Sequence, residues 1–129
     1  WKSAYPKFGK NAVWLDGRNK NPFFKPTLEN MQRLKEKGID IIAPPIPVLV
    51  RTIENGELAL SDYARFAKSV GLRIMTWTFE SYRVNTALYS QTPGRMLEVL
   101  DFLSEEVGVI GIFSDWPGTV TSYANCMIR

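Results

Sequence analysis

Residues 108–117 read GVIGIFSDWP, an apolar run that ends abruptly in an acid, an indole and a proline. A run that is apolar at nearly every position, without alternation, is typical of a parallel strand buried on both faces. In parallel barrels the residues at the carboxyl ends of the strands form the active-site face. The stretch therefore predicts a buried strand whose last residues, Asp115 and Trp116, lie at a functional edge.

Two earlier segments repeat the plan of this stretch: a helical pattern, a glycine, an apolar run and then polar or proline residues. The glycines are Gly38, Gly71 and Gly108, which lie 33 and 37 residues apart. Apolar side chains recur with helical spacing before each glycine. Helices are therefore expected over 28–37, 61–70 and 92–107. Each glycine is expected in the left-handed conformation that ends a helix, and a hydroxyl residue precedes each helix as a predicted N-cap. These N-caps are Thr27, Ser61 and Thr92.

Residues 12–16 (AVWLD) supply a fourth strand, and a short last helix is expected near 119–125. The order is then β-α-β-α-β-α-β. A complete (β/α)8 barrel needs ~250 residues, so the 129 residues of this chain correspond to four βα units, the C-terminal half of a TIM barrel. The alternative is a four-stranded open sheet of the flavodoxin-like or Rossmann kind. No G-x-G-x-x-G or G-x-x-x-x-G-K motif supports a nucleotide-binding version of that sheet. Asn55-Gly56 predicts a tight turn in a small hairpin.

The composition excludes several classes of function. A net charge of +3, from 16 basic and 13 acidic residues, is too mild for nucleic-acid binding but compatible with a small anionic substrate. No uncharged apolar span of ~18 residues predicts a transmembrane helix, and no signal peptide is visible. Without histidine, the chain acting alone has no His-based acid–base chemistry. Cys126, the single cysteine, is expected to be small and semi-buried, or to bridge to another segment or partner.

The candidate site residues lie at the predicted carboxyl ends of strands. Asp16 and Arg18 are either a loop ion pair or, through Arg18, a bidentate clamp for a phosphate. Trp77 ends another strand and is either a core residue or an apolar wall for the alcohol part of a substrate. Glu80, in the polar loop beyond, either pairs with Arg83 or contacts the substrate.

Asp115 follows directly on an apolar strand, so it is expected to be half-buried and hydrogen-bonded. It either caps the next helix, with Pro117 near the first helical position, or orients an active-site group. No two carboxylates of the chain have a spacing that by itself indicates a metal site.

Several stretches together resemble the C-terminal half of the glycerophosphodiester phosphodiesterases, a TIM-barrel family. The family's penultimate strand commonly begins with glycine and ends in Trp-Thr, as in GLRIMTWT at 71–78. Its last strand commonly reads glycine, two apolar residues, Thr or Ser, Asp, an aromatic and proline, as in GIFSDWP at 111–117. The helix and glycine at 63–72 also match. Residues 5–18 and Ala43-Pro44-Pro45 are similar to a larger secreted bacterial or fungal branch, so the likeness covers most of the chain.

The resemblance implies hydrolysis of a glycerophosphodiester to glycerol 3-phosphate and an alcohol, a reaction of lipid and glycerol metabolism. In the family a divalent metal, usually Ca²⁺ or Mg²⁺, polarises the phosphoryl oxygens, and a histidine pair acts as general acid and base. Those groups belong to the first half of the barrel, so this chain carries no catalytic residue and no metal ligand. Residues 1–129 are then the C-terminal half of a secreted or periplasmic enzyme, inactive alone.

Site roles follow from the resemblance residue by residue. The aromatic of the family's penultimate strand corresponds to Trp77, and the aspartate of its last strand corresponds to Asp115. Glu80 departs from the family, where many members have Asn after the Trp-Thr strand. The predicted substrate-binding residues are Trp77, Glu80 and Arg18, and the predicted supporting residues are Asp115, Trp116 and Asp16.

The expected partner is the N-terminal half of the same parent protein, missing here or present as a separate or cleaved chain. A half barrel leaves apolar strand edges unpaired, and that half would cover them. A second interpretation is a non-catalytic half-barrel that self-associates with a second copy and acts as a structural or small-anion-binding module. A stand-alone open-sheet binding protein is least favoured, because the apolar runs do not suggest polar strand edges.

Overall fold

The computed structural model describes residues 25–79, 85, 88, 89, 95–115 and 117–127, together with the backbone of 12–14. The strands are β1 (Ala12–Trp14), β2 (Ile41–Ala43), β3 (Val50–Thr52), β4 (Leu58–Leu60), β5 (Arg73–Thr76) and β6 (Gly111–Ile112). The helices are α1 (Leu28–Glu36), α2 (Ile46–Leu49), α3 (Asp62–Ser69), α4 (Arg95–Phe102) and α5 (Pro117–Met127), and a π-helical turn, Leu103–Val107, continues α4.

Four strands form a parallel sheet in the order β1-β2-β5-β6. The register pairs Ile42 with Ile74, and Met75 with Gly111. The strands follow one another in the sheet in the same order as in the chain, and the β3–β4 hairpin lies outside this sheet. In a doubly wound sheet, by contrast, the strand order reverses at a switch point. The described strands show no such reversal and do not close into a barrel. The predicted α/β class with a parallel sheet is confirmed.

The predicted caps and turns account for where the helices begin and end. The Thr27 hydroxyl oxygen accepts a hydrogen bond from the Asn30 N–H at 3.2 Å, and that of Ser61 accepts one from the Ala64 N–H at 3.1 Å. Both predicted N-caps are therefore confirmed, while Thr92 lies outside the described residues. The left-handed glycines are confirmed as Gly38, Gly71 and Gly108, with φ of 82°, 80° and 71°.

Apolar side chains cover both faces of the sheet. The main core lies between the helices and one face of the sheet, where Ile42 and Ile74 are almost completely buried. Side chains alternate across a strand, so Ile41 and Met75 point to the other face. There they form a second cluster with Ala43, against which Phe113 packs. The prediction of strands buried on both faces is confirmed for β2 and β5, but β6 is only half-buried.

The structure differs from the sequence-based expectations in the lengths of elements. The apolar run at 109–115 forms a strand only at Gly111–Ile112, because β6 has a single neighbour among the described strands. α5 is longer than the expected 119–125. The hairpin around Asn55-Gly56 is confirmed, since β3 and β4 pair antiparallel on either side of it. None of the described helices is both long and apolar enough to cross a membrane.

Candidate functional site

The three described segments that follow β2, β5 and β6 meet at one edge of the sheet, here called the carboxyl edge. The Phe113 N–H donates to the Thr76 carbonyl at 2.9 Å, and the Phe79 N–H donates to the Phe113 carbonyl at 3.0 Å. On the other side of β5, the Ile46 N–H donates to the Trp77 carbonyl at 3.1 Å. These backbone bonds continue the pairing beyond the strands, so the residues at the three ends are held next to one another.

Thr76 ties two of these strand ends together through its side chain. It is completely buried, and its hydroxyl donates to the Pro44 carbonyl at 2.9 Å. A buried hydroxyl requires such a partner, since an unsatisfied one costs free energy. The bond therefore fixes the spacing between the ends of β2 and β5 at the carboxyl edge.

Trp77 stands directly after β5 and is half-buried. Its indole N–H donates to the Ala43 carbonyl at 2.8 Å, which fixes the orientation of the ring against the end of β2. The peptide bond between Trp77 and Thr78 is cis. The indole donor is therefore engaged within the protein.

Asp115 lies beyond the end of β6 and is exposed, so the prediction that it is half-buried was wrong. The physical reason is the shortness of β6: the chain leaves the sheet after Phe113, and no described strand flanks it on the far side. α5 begins at Pro117, as predicted for a proline near the first helical position. The structure thus brings Trp77 and Asp115 to the ends of neighbouring strands on the same edge.

The remaining predicted site residues, Asp16, Arg18, Glu80 and Trp116, lie outside the described residues, and so does Arg83. Their assigned roles stay predictions. Cys126 is exposed and free, so its predicted semi-burial was wrong. It lies outside the apolar face of α5, which residues 120, 124 and 127 form.

Asn85 was not anticipated from the sequence, where it belongs to a stretch that reads as a polar connection. It is completely buried, and its side-chain amide donates to the Thr78 carbonyl at 2.9 Å. The Tyr89 hydroxyl donates to the neighbouring Phe79 carbonyl. Both contacts hold the segment after Trp77 in place, but nothing in the spacing of Asn85 or Tyr89 in the sequence indicates this.

The charged groups of the described region do not form a metal site. Within that region, no group of three or more His, Cys, Asp or Glu side chains lies close enough to hold a metal ion. Arg95, at the start of α4, is nearly buried and bonds to the Gly56 carbonyl and to Glu98. It therefore holds the tip of the β3–β4 hairpin against α4, and its role is structural.

Fold and site together define an α/β protein whose parallel strands end at one edge, the place where parallel α/β proteins bind their ligands. No protein-family model matches the chain. The chain is 32% identical, over 140 residues, to a protein named "Extracellular protein" from Arthroderma benhamiae (strain ATCC MYA-4681 / CBS 112371). The alignment takes in 98% of this chain and 57% of that relative, so the chain spans a little over half the relative's length.

Proposed function

We propose that this chain is the C-terminal half of a (β/α)8 barrel that hydrolyses glycerophosphodiesters to glycerol 3-phosphate and an alcohol, and that it is inactive alone. One observation carries the proposal. The two stretches that resemble the phosphodiesterases, 71–78 and 111–117, contain neighbouring parallel strands, and their ends share the carboxyl edge. Trp77 and Asp115 therefore follow two neighbouring strands, which is compatible with such a barrel.

Two further findings support the half-barrel. The second apolar cluster, around Ile41 and Met75, lies on the face of the sheet that would become the interior of a barrel. The alignment spans 140 positions and takes in 57% of the Arthroderma protein, so that protein has at most about 245 residues. This upper limit is close to the ~250 residues of a complete barrel.

Within this proposal Trp77 forms an apolar wall for the glycerol or alcohol part of the substrate, and the bond from its indole N–H to the Ala43 carbonyl fixes the orientation of the ring. Arg18 clamps the phosphate and Glu80 contacts the substrate, as the sequence predicts. Asp115, with Trp116 and Asp16, supports the site and takes no part in the chemical step.

The acid–base groups and the metal are assigned to the other half. The chain has no histidine, and in the family that it resembles the histidine pair and the metal ligands belong to the first half of the barrel. When bound by the complete enzyme, Ca²⁺ or Mg²⁺ would polarise the phosphoryl oxygens. What this chain contributes is the aromatic wall and a supporting carboxylate, held by the bonds of the carboxyl edge.

We also propose that the protein acts outside the cell. The support is the name "Extracellular protein" of the Arthroderma relative, whose alignment takes in 98% of this chain. An enzyme of this kind would meet glycerophosphodiesters released from membrane lipids.

The test is reconstitution with the complementary segment, which is the 43% of the Arthroderma protein that lies outside the alignment. The chain, the segment and their mixture are incubated with glycerophosphocholine and Ca²⁺ or Mg²⁺, and glycerol 3-phosphate is measured. Hydrolysis only by the mixture supports the proposal. No hydrolysis by a mixture that forms a complex would sink it.

Two variants of Trp77 sharpen this assay. Trp77→Ala removes the aromatic wall and is expected to lower kcat/KM by roughly 10- to 100-fold, because burying such a ring against a ligand is worth about 1.5–3 kcal/mol. Trp77→Phe keeps an aromatic surface and is expected to retain most of the activity. Equal activity of Trp77→Ala and the unchanged chain would remove Trp77 from the substrate site.

A further inference from the structure

The tip of the β3–β4 hairpin carries the one Asn-Gly pair of the sequence, Asn55-Gly56. Asn55 is exposed, and a Cβ added to Gly56 would meet nothing within 4 Å. The side-chain carbonyl carbon of an asparagine can be attacked by the backbone nitrogen of the next residue. Glycine leaves that nitrogen most accessible, because it has no side chain. The sequence and the open surroundings of the tip therefore allow this reaction at Asn55.

The hydrogen bonds of the turn engage the groups that would react. The Gly56 N–H donates to the Ile53 carbonyl at 2.9 Å, and the Asn55 side-chain oxygen accepts from the Glu57 N–H at 3.0 Å. The nitrogen of Gly56 becomes nucleophilic only when it loses its proton, as in hydrogen exchange. A proton held in a hydrogen bond is lost only when the local structure opens. The reaction should therefore be slow while the turn is intact.

Arg95 holds the same peptide from outside the hairpin. Its guanidinium donates to the Gly56 carbonyl and also to the Glu98 carboxylate. We call the bond to the Gly56 carbonyl the Arg95 clasp. Arg95 is only 7% exposed, and a hydrogen bond from a charged donor is stronger than one between neutral groups. The tip therefore cannot open at Gly56 without breaking the clasp.

We propose that Asn55 is a site of spontaneous deamidation and that the Arg95 clasp governs its rate. Hydroxide removes the Gly56 amide proton, and the nitrogen forms a bond to the side-chain carbonyl carbon of Asn55. The bond from that carbon to the side-chain nitrogen then breaks, and the nitrogen leaves as ammonia after taking a proton from water. Water opens the resulting five-membered imide at either carbonyl, which gives aspartate or isoaspartate. This proposal is independent of the phosphodiester hydrolysis.

The isoaspartate product changes the turn that presents Gly56 to Arg95. In isoaspartate the backbone passes through the former side-chain carbon, so the chain gains one carbon atom between residues 55 and 56. The pairing of Thr52 with Leu58 leaves residues 53–57 for the connection, and this connection would have to hold the extra carbon. The product also carries a new negative charge between Glu54 and Glu57. Deamidation should therefore weaken the clasp once it has occurred.

The test incubates the whole chain at mildly alkaline pH, folded or unfolded in urea, and follows the peptide that contains residue 55 by mass spectrometry. Deamidation is expected in both states, and roughly 100-fold more slowly in the folded chain, because two ordinary hydrogen bonds and a charged one must open. Arg95→Met should raise the rate in the folded chain by roughly tenfold, since it removes the charged bond. Hydrogen exchange of the Gly56 amide should accelerate by a similar factor.

Arg33→Met is the matched control, since Arg33 is an exposed arginine of α1 that pairs with Glu29. It should leave the rate at Asn55 unchanged. Three outcomes overturn the proposal: no deamidation of Asn55 in either state, equal rates in the folded and unfolded chain, or an unchanged rate in folded Arg95→Met. If Arg95→Met does not fold, Arg95→Lys takes its place. It keeps the charge but loses the forked guanidinium, and the same increase is expected and the same unchanged rate overturns the proposal.

Discussion

Thr76→Val is the sharpest test of how the carboxyl edge is held together. The substitution keeps the shape of a completely buried side chain and removes only its hydroxyl, and with it the 2.9 Å bond to the Pro44 carbonyl. Pro44 is itself buried, so water does not readily replace the lost donor. The change therefore isolates one contact between the ends of β2 and β5.

The expected loss of stability depends on whether the Pro44 carbonyl is left without a hydrogen-bond donor. A hydrogen bond of this kind contributes about 0.5–1.5 kcal/mol net, and leaving a buried acceptor unsatisfied costs about 1–3 kcal/mol. Valine recovers part of this through its extra apolar surface, so a loss of about 1.5 kcal/mol in the free energy of unfolding is expected. For a domain of this size that corresponds to a Tm lower by roughly 5 °C.

The assay is urea unfolding followed by far-ultraviolet circular dichroism, with the midpoint expected to fall at an unchanged slope. Thr52→Val, at a half-buried threonine on β3, is the matched control and should change stability by less than about 0.5 kcal/mol. If Thr76→Val were as stable as the unchanged chain, or no less stable than Thr52→Val, the role given to the Thr76 hydroxyl would be refuted.

Further predictions concern the hairpin, a helix end and alkaline pH. Arg95→Met should destabilise the chain by about 1–3 kcal/mol, because it removes charged hydrogen bonds to the Gly56 carbonyl and to Glu98; an unchanged urea midpoint would contradict this. Gly108→Ala should cost about 1 kcal/mol, since φ is 71° there and nothing lies within 4 Å of an added Cβ. Gly118→Ala, equally uncrowded but helical, should instead be neutral or stabilising, and an equal loss in both would reject the argument from φ. Burial raises the pKa of Tyr63 above its ordinary 10.0. The unfolded chain therefore loses this proton first, and stability is full below about pH 10 and falls above it by up to about 1.4 kcal/mol per pH unit. Tyr63→Phe should flatten that fall in urea titrations between about pH 9 and 11.

The sequence predicts the repeating plan of the fold because the determinants of that plan are local. The hydroxyl oxygen of an N-cap residue accepts a hydrogen bond from the backbone N–H three residues later, as those of Thr27 and Ser61 do. A glycine ends a helix through its own φ, as Gly38, Gly71 and Gly108 do. Neither feature depends on residues that are distant in the chain, so the local sequence is sufficient to predict both.

What the sequence does not predict depends on neighbours that are distant in the chain. Asp115 follows an apolar run and should be half-buried, but burial requires a flanking strand, and β6 has one described neighbour. The sequence leaves open whether Trp77 is a core residue or a site residue. In the structure its indole N–H donates to the carbonyl of Ala43, which is 34 residues away in the chain. Asn85 contributes a buried amide to the same edge, and no pattern around it indicates that burial.

The contacts that place Trp77 come from within this chain, and this determines how the two proposed halves would assemble. Its ring is oriented by the end of β2, and the spacing of β2 and β5 is set by Thr76. The described contacts of the Trp77 ring are therefore made within this chain, without a partner. Beside β6, in contrast, Ile110 is 45% exposed. Association should then stabilise this half mainly at β6 and α5, while the environment of Trp77 changes little. The Phe113 N–H bonds to the Thr76 carbonyl of β5, so by alternation the Ile112 N–H points away from β5. Hydrogen exchange of the complex should show new protection concentrated at Ile112, and new protection spread evenly over β2 and β5 would mean that the contacts around Trp77 are not preformed.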